Sequence, residues 1–214
     1  MFFKNFKNAI IIGLFAILFS SSTALVYILT KKIIFQHDQI HSIYLLHELI
    51  HLEEYELSSI NNCYLIKNDK LGDDQYHRFW LLKKKGLYCA FIIETTAPDG
   101  YAGLINILVA ADLHGNIIGA RVINHHETPG LGDKIDIQQS DWIKHFCGIC
   151  ILSLSQKPFL IKKDGGFIDQ FTGASITPRS VVNSIKNSVF FILQSLSEYQ
   201  LIDIKGLKIN VYKK

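Results

Sequence analysis

Lys162-Lys163-Asp164-Gly165-Gly166-Phe167-Ile168-Asp169-Gln170-Phe171-Thr172-Gly173-Ala174-Ser175-Ile176-Thr177-Pro178-Arg179 runs from a glycine pair, through small and hydroxyl residues, into a periodic apolar segment. Beyond it, Val181, Val182, Ile185, Val189, Ile192, Leu193 and Leu196 recur at helical spacing and define one buried face. Thr177 is the candidate N-cap, and Pro178 suits the first helical position. Gly173 permits positive φ and Ala174 removes side-chain bulk, so Ser175 would be presented on a tight turn. A helix start offers unpaired N–H groups and a partial positive charge, which favour a phosphate, and Arg179 would add charge. A well-capped structural helix behind a glycine turn is the plainer reading of the same residues. No G-x-S-x-G elbow surrounds Ser175, which argues against a serine hydrolase.

Upstream, Cys63–Lys67, Tyr76–Leu82, Leu87–Thr95, Gly103–Asp112 and Ile117–Asn124 read as short strands separated by turn residues. Lys83-Lys84-Lys85 before Gly86 suits a charged hairpin tip, and His114-Gly115-Asn116 a second turn. A helical segment near Ser140–Phe146 has Ser140 as cap and Asp141 in its first turn. A last strand is expected around Phe159–Lys162. Residues 33–60 lack Gly and Pro and read as one or two juxtamembrane helices. The sum is an α+β domain over residues 61–214.

The opposite end of the chain has a different solvent. From Ala9 to Leu29 there is no charged residue, with Lys4 and Lys7 before the run and Lys31 and Lys32 after it. About 20 apolar residues at ~1.5 Å each match a ~30 Å hydrocarbon core. The hydroxyls Ser20 to Thr23 interrupt the run, but in a helix they bond back to the preceding turn. A cleaved signal peptide is the rival. Its apolar region is shorter, whereas here apolar character resumes through Ala24–Leu29. The expected order is therefore a tail at 1–8, a transmembrane helix at 9–30, a juxtamembrane segment at 31–60 and the domain. With two lysines on each side, the positive-inside rule gives no orientation.

The span explains the whole-chain arithmetic. The 214 residues are 49% hydrophobic and 19% charged, with net charge +3 and mean hydropathy +0.20. Four of the 22 basic residues bracket the span, leaving 18 against all 19 acidic residues beyond Lys32. The domain is nearly neutral, so nucleic-acid binding has no electrostatic support. Four cysteines are too few for a disulfide scaffold of this size.

Three other patterns carry potential chemistry. His47-Glu48-Leu49-Ile50-His51 matches H-E-x-x-H, which on a helix would face two zinc ligands together beside a general base. It lies between span and domain, with no third ligand at a fixed spacing. His37 and His41 repeat the same i, i+4 relation, which suits a polar helix face. Cys147-Gly148-Ile149-Cys150 lacks the second pair of a structural zinc site and follows a helical stretch, so incidental cysteines fit better than a redox motif. Asn124–Lys134 is polar and glycine-rich; Glu127, Gly130 and Gly132 belong either to an ordinary loop or to one whose backbone approaches a flat ligand closely.

Asp169-Gln170-Phe171-Thr172-Gly173-Ala174-Ser175 resembles the D-x-x-(S/T)-G-A-(T/S) flavinylation motif of FMN-binding domains. The wider chain resembles the G-subunit family of the Rnf (Rsx) ion-translocating electron transport complexes. That likeness rests on Ala97–Gly103, His125–Lys134, Ser140–Ile143 and Lys162–Asn183. It implies FMN held covalently by a phosphodiester on the closing hydroxyl, installed by a flavin transferase, with Thr172, Gly173, Ala174, Asp169, Thr177, Glu127, Gly130 and Gly132 around it. The closing residue is usually Thr; here it is Ser175, which offers the same hydroxyl, with Thr172 and Thr177 as second choices. The resemblance further implies a redox subunit that is not catalytic alone, partnered by other Rnf/Rsx subunits, with its domain on the periplasmic face of the bacterial inner membrane. It carries electrons through FMN in support of ion pumping. A flavin-free assembly subunit and a zinc hydrolase using His47, Glu48 and His51 are the competing expectations.

Overall fold

The computed structural model describes residues 2–50, 55–56, 62–151 and 159–198. The chain divides into a unit ending at Ile43 and a unit beginning at Tyr44. Helix α1 spans Phe2–Leu49, and its Lys7–Lys31 portion is long and apolar enough to cross a membrane. Ser21 donates to Leu18 O at 3.0 Å, and Thr23 to Ser20 O at 2.9 Å. The mid-span hydroxyls therefore satisfy themselves within the helix, as expected.

The second unit is built on a five-stranded antiparallel sheet. Its strands are β1 (Cys63–Ile66), β2 (His77–Lys84), β3 (Leu87–Ala97), β4 (Ile105–Asp112) and β5 (Ile117–Asn124). They lie side by side in chain order. Lys85 (φ 52°) and Gly86 (φ 79°) make the β2–β3 turn, the two-residue hairpin geometry that matches strand twist. Between β4 and β5, the Asp112 carboxylate accepts from the backbone of His114 and Asn116, each at 2.8 Å, and from Asn116 Nδ2 at 2.7 Å.

Strands β3 and β4 are apolar on both faces because both faces are covered. Phe91, Ile93, Ile107, Val109 and Ala111 pack on the side of helix α2 (Ile176–Glu198), with its Val181, Val182, Ile185, Val189 and Ile192. The alternate residues Ala90, Ile92, Leu108 and Ala110 join Trp80 and Leu82 against Leu45, Leu46, Leu49 and Ile50. The fold is α+β. Helix α2 is pinned at mid-length, where Ser184 Oγ lies 3.0 Å from Thr95 Oγ1 and donates to Thr96 O at 3.1 Å.

Three local expectations change. Helix α1 ends at Leu49, and Tyr55 and Glu56 are not helical; the Glu56 amide instead bonds Lys83 O at 2.9 Å. No strand forms at 159–162. Ile161 makes one bridge to Ile168, and Lys162–Asp164 is a short 3-10 turn. The cause is Gly166, which approaches so closely that a Cβ there would sit 2.0 Å from Leu160 O, folding the segment back on itself. Finally, helix α2 begins at Ile176, so Ser175 holds the capping position and Thr177 lies inside the first turn.

Candidate functional site

Three loops meet at the start of α2, and Glu127 lies where they join. Its side chain is 5% exposed. Oε1 accepts from the Ala102 amide at 3.1 Å, and Oε2 accepts from Thr177 Oγ1 at 2.6 Å. The Glu127 amide donates to His125 Nδ1 at 3.1 Å, which holds the ring against the loop. Adjacent His126 is exposed whereas His125 is half-buried, so the pair does not share a face. The rest of this loop is shaped by one carbonyl: Thr128 O accepts from the amides of Leu131 and Gly132, both at 3.1 Å, and of Asp133 at 3.5 Å.

The Phe171–Ala174 turn closes with Ala174 N donating to Phe171 O at 3.1 Å, and Gly173 takes φ 82°. A Cβ on Gly173 would lie 3.8 Å from Leu131 Cδ2, so this turn faces the Glu127 loop. Trp142 holds the approach to the turn. Its indole N–H donates to Asp169 O at 2.7 Å, and its ring meets Phe171 edge-on with centroids 5.2 Å apart. Trp142 is itself positioned by the expected Ser140 cap, whose Oγ accepts from the Trp142 amide at 3.2 Å.

Ser175 is half-buried, and among the described residues no group hydrogen-bonds its hydroxyl. Its carbonyl accepts from Arg179 N at 3.4 Å, the opening bond of α2. The Ile176 and Thr177 amides precede that bond and have no intrahelical acceptor. Thr177, by contrast, is fully buried with its hydroxyl committed to Glu127. Thr172 is exposed at the turn, and Ala174 is half-buried. Gly130 is exposed with φ 78°, while Gly132 is buried against Glu127. The Asp169 side chain is exposed and pairs with Lys162 Nζ at 2.5 Å, outside the Glu127 junction.

Arg179 is not the free cation that its spacing suggests. Its Nε and an NH2 nitrogen grip Asp164 at 2.7 and 2.9 Å. The Arg179 hydrogen bond holds the Asp164 carboxyl below its ordinary value, and the Arg179 guanidinium is raised in return. Positive potential for an anion at Ser175 therefore comes from the helix start.

These features fit FMN. A hydroxyl without a protein partner stands at a helix N-terminus, beside glycine turns. On the segments that meet at Glu127, Tyr101, Leu104, Leu131 and Ile176 keep large apolar side chains exposed. Asp133 Oδ1 is a buried acceptor with no hydrogen-bond partner among the described residues. The role of Trp142 is not legible from local spacing, although the Ser140 cap marks the segment that carries it.

The other motifs lead elsewhere. His47 is exposed, and Glu48 accepts from Arg121 Nε at 3.1 Å, tying the end of α1 to β5. His51 lies outside the described residues. Among the described residues, no group of His, Cys, Asp and Glu side chains gathers to hold a metal ion. Cys147 and Cys150 form no disulfide, and the Cys150 thiol points to His114 O at 3.6 Å.

Comparison with known proteins gives the class first: residues 100–189 match the FMN-binding domain family, and residues 4–49 match the RnfG N-terminal region. The chain is 46% identical over 186 residues to the G subunit of the ion-translocating oxidoreductase complex of Yersinia pestis, covering 87% of this chain and 89% of that one. Identity to the corresponding protein of Buchnera aphidicola subsp. Baizongia pistaciae is 42% over 195 residues, covering 91% and 90%. Identity to that of Escherichia coli K12 is 42% over 182 residues, covering 85% and 88%. The chain belongs to the family of G subunits of ion-translocating oxidoreductase complexes.

Proposed function

We propose that this chain is the FMN-carrying subunit of a membrane-bound ion-translocating oxidoreductase complex, with the flavin joined through its phosphate to Ser175. A single span holds it in the bacterial inner membrane with the domain on the periplasmic face. Other subunits of the complex supply and remove its electrons, and a flavin transferase loads it. The bound flavin supplies the redox chemistry, taking up and releasing electrons in support of ion translocation; the protein supplies its position and surroundings.

One observation carries the reading. Of the hydroxyls at the turn, Ser175 stands at the start of α2 without a partner among the described residues, whereas Thr177 is buried and committed to Glu127. A phosphodiester on Ser175 Oγ replaces only the hydroxyl proton and leaves the buried network intact. The Ile176 and Thr177 amides face the helix end where a phosphate is favoured.

The test is co-expression of the full chain with a flavin transferase, followed by in-gel fluorescence under denaturing conditions and intact mass. The expected adduct adds one FMN less water, disappears in Ser175→Ala and persists in Ser175→Thr. An adduct that survives Ser175→Ala moves the site. No adduct on any residue overturns the reading and leaves a flavin-free assembly subunit.

A further inference from the structure

We infer that Glu127 is the positioning residue of this site: its carboxylate clasps the 98–104 loop to the start of α2 and sets the site's shape before any flavin is present. This rests on the reading of the site as the flavin site. A carboxylate that is 5% exposed is costly unless its oxygens are paired. Here the two oxygens are divided between two segments. Oε1 takes the Ala102 amide, 25 residues back, and Oε2 takes the Thr177 hydroxyl, 50 residues on. Both neighbours are glycine where the carboxylate needs room. A Cβ on Gly100 would lie 2.9 Å from Oε1, and one on Gly132 would lie 2.6 Å from Oε2.

The clasp bears directly on the exposed rim. Tyr101 flanks Ala102, Leu131 flanks Gly132, and Ile176 flanks Thr177. These three exposed apolar side chains are thus each one residue from a position that Glu127 bonds or crowds. Ser175 stands two residues before Thr177 on the same helix start. Release of Glu127 would free the rim and the acceptor hydroxyl to move relative to each other without dissolving the core, because the sheet and α2 pack independently of it.

The experiment uses the detergent-solubilised full chain, flavin-free and then loaded. Amide hydrogen exchange is read at Ala102, with Ile107 in β4 as reporter of global opening. Glu127→Ala is expected to speed Ala102 exchange about tenfold or more relative to Ile107, and Glu127→Gln, which keeps an acceptor oxygen, to do so less. Should Glu127→Ala fail to fold, Thr177→Val removes the donor at constant shape; a severalfold rise at Ala102 is expected, reversed in Thr177→Ser. In loaded protein, Glu127→Gln is expected to alter the flavin's visible absorption bands at unchanged Ile107 protection, which a purely structural role would not do. Ala102 exchange that tracks Ile107 in every variant overturns the clasp, as does an unaltered flavin spectrum in Glu127→Gln. Failure of the flavin reading shows separately, as an unloaded wild-type chain whose Ala102 still responds to Glu127.

Discussion

Trp142 gives its indole N–H to the carbonyl of Asp169 at 2.7 Å, and this single bond anchors the chain just before the turn that presents Ser175. The ring is 6% exposed and also packs on Phe146 and Phe171. Trp142→Phe keeps much of the aromatic packing but strands a carbonyl. It is expected to lower stability by about 1–3 kcal/mol in denaturant titration. Flavin loading should fall by more than that loss explains, because the turn loses its support. A variant as stable and as well loaded as wild type would contradict this role.

Gly132 is required for space rather than for an unusual backbone angle. Its missing Cβ would stand 2.6 Å from Glu127 Oε2 and 3.1 Å from Thr177 Oγ1. Gly132→Ala is expected to cost about 1–3 kcal/mol by overpacking. Combined with Glu127→Ala, which empties the neighbouring volume, the penalty should shrink, and a double-mutant cycle in urea measures that coupling.

Asp112 predicts a pH dependence. Partial burial disfavours its charge, but hydrogen bonds from the Asn116 side chain and from the Asn116 and His114 amides outweigh this and hold its carboxyl below the ordinary value. A depressed folded-state value adds stability that is fully present above the unfolded value and is lost as pH falls through the folded one. Asp112→Ala should therefore cost about 1 kcal/mol near neutrality, with solvent screening already limiting the figure. The gap to wild type should close below about pH 4, as read by urea midpoints at pH 7 and in acid. A gap that persists unchanged in acid would rule out the ionised carboxylate as its source.

Ser184 and Thr95 join α2 to β3 through buried hydroxyls 3.0 Å apart, with Thr95 Oγ1 also reaching Leu71 O at 3.1 Å. Ser184→Ala deprives Thr96 O and Thr95 Oγ1 of this partner, and Thr95→Val deprives Leu71 O and Ser184 Oγ. Each is expected to cost about 1–3 kcal/mol, because a buried carbonyl is left without its donor. Thermal unfolding of the two variants checks this, and an unchanged midpoint in either would contradict it.

The elements legible in the sequence are those whose signal is local. The five strands fall within a few residues of expectation because alternation and turn residues bound them, and the Lys85-Gly86 tip suits only one hairpin geometry. Helix α2 is legible from its stripe. Phe159–Lys162 looks like a strand because its apolar residues are real core residues, as buried Phe159 and Ile161 show. What denies them a ladder is the loop-back at Gly166, which no apolar pattern encodes. At the site, Ser175 is legible from the turn itself. Thr177 looks like a cap because a capping rule inspects its own helix, whereas the partner that claims its hydroxyl lies 50 residues away. Arg179 looks like charge for an anion for the same reason: Asp164 sits 15 residues back, beyond the window of a helix start.

The strand order gives the molecule a timetable. Each strand of the sheet pairs with its neighbour in the chain, so the meander is assembled from short-range hairpins, which form quickly and need little chain to be in place. The junction at Glu127 is the opposite case: its bond to Thr177 spans 50 residues, and the pin between Thr96 and Ser184 spans 88. These contacts close long loops and carry a larger entropic delay than any hairpin of the sheet. The surroundings of the Ser175 turn are complete only once α2 is docked, so a chain without α2 has no finished cradle. A modification that requires this cradle would mark completed chains and pass over the rest.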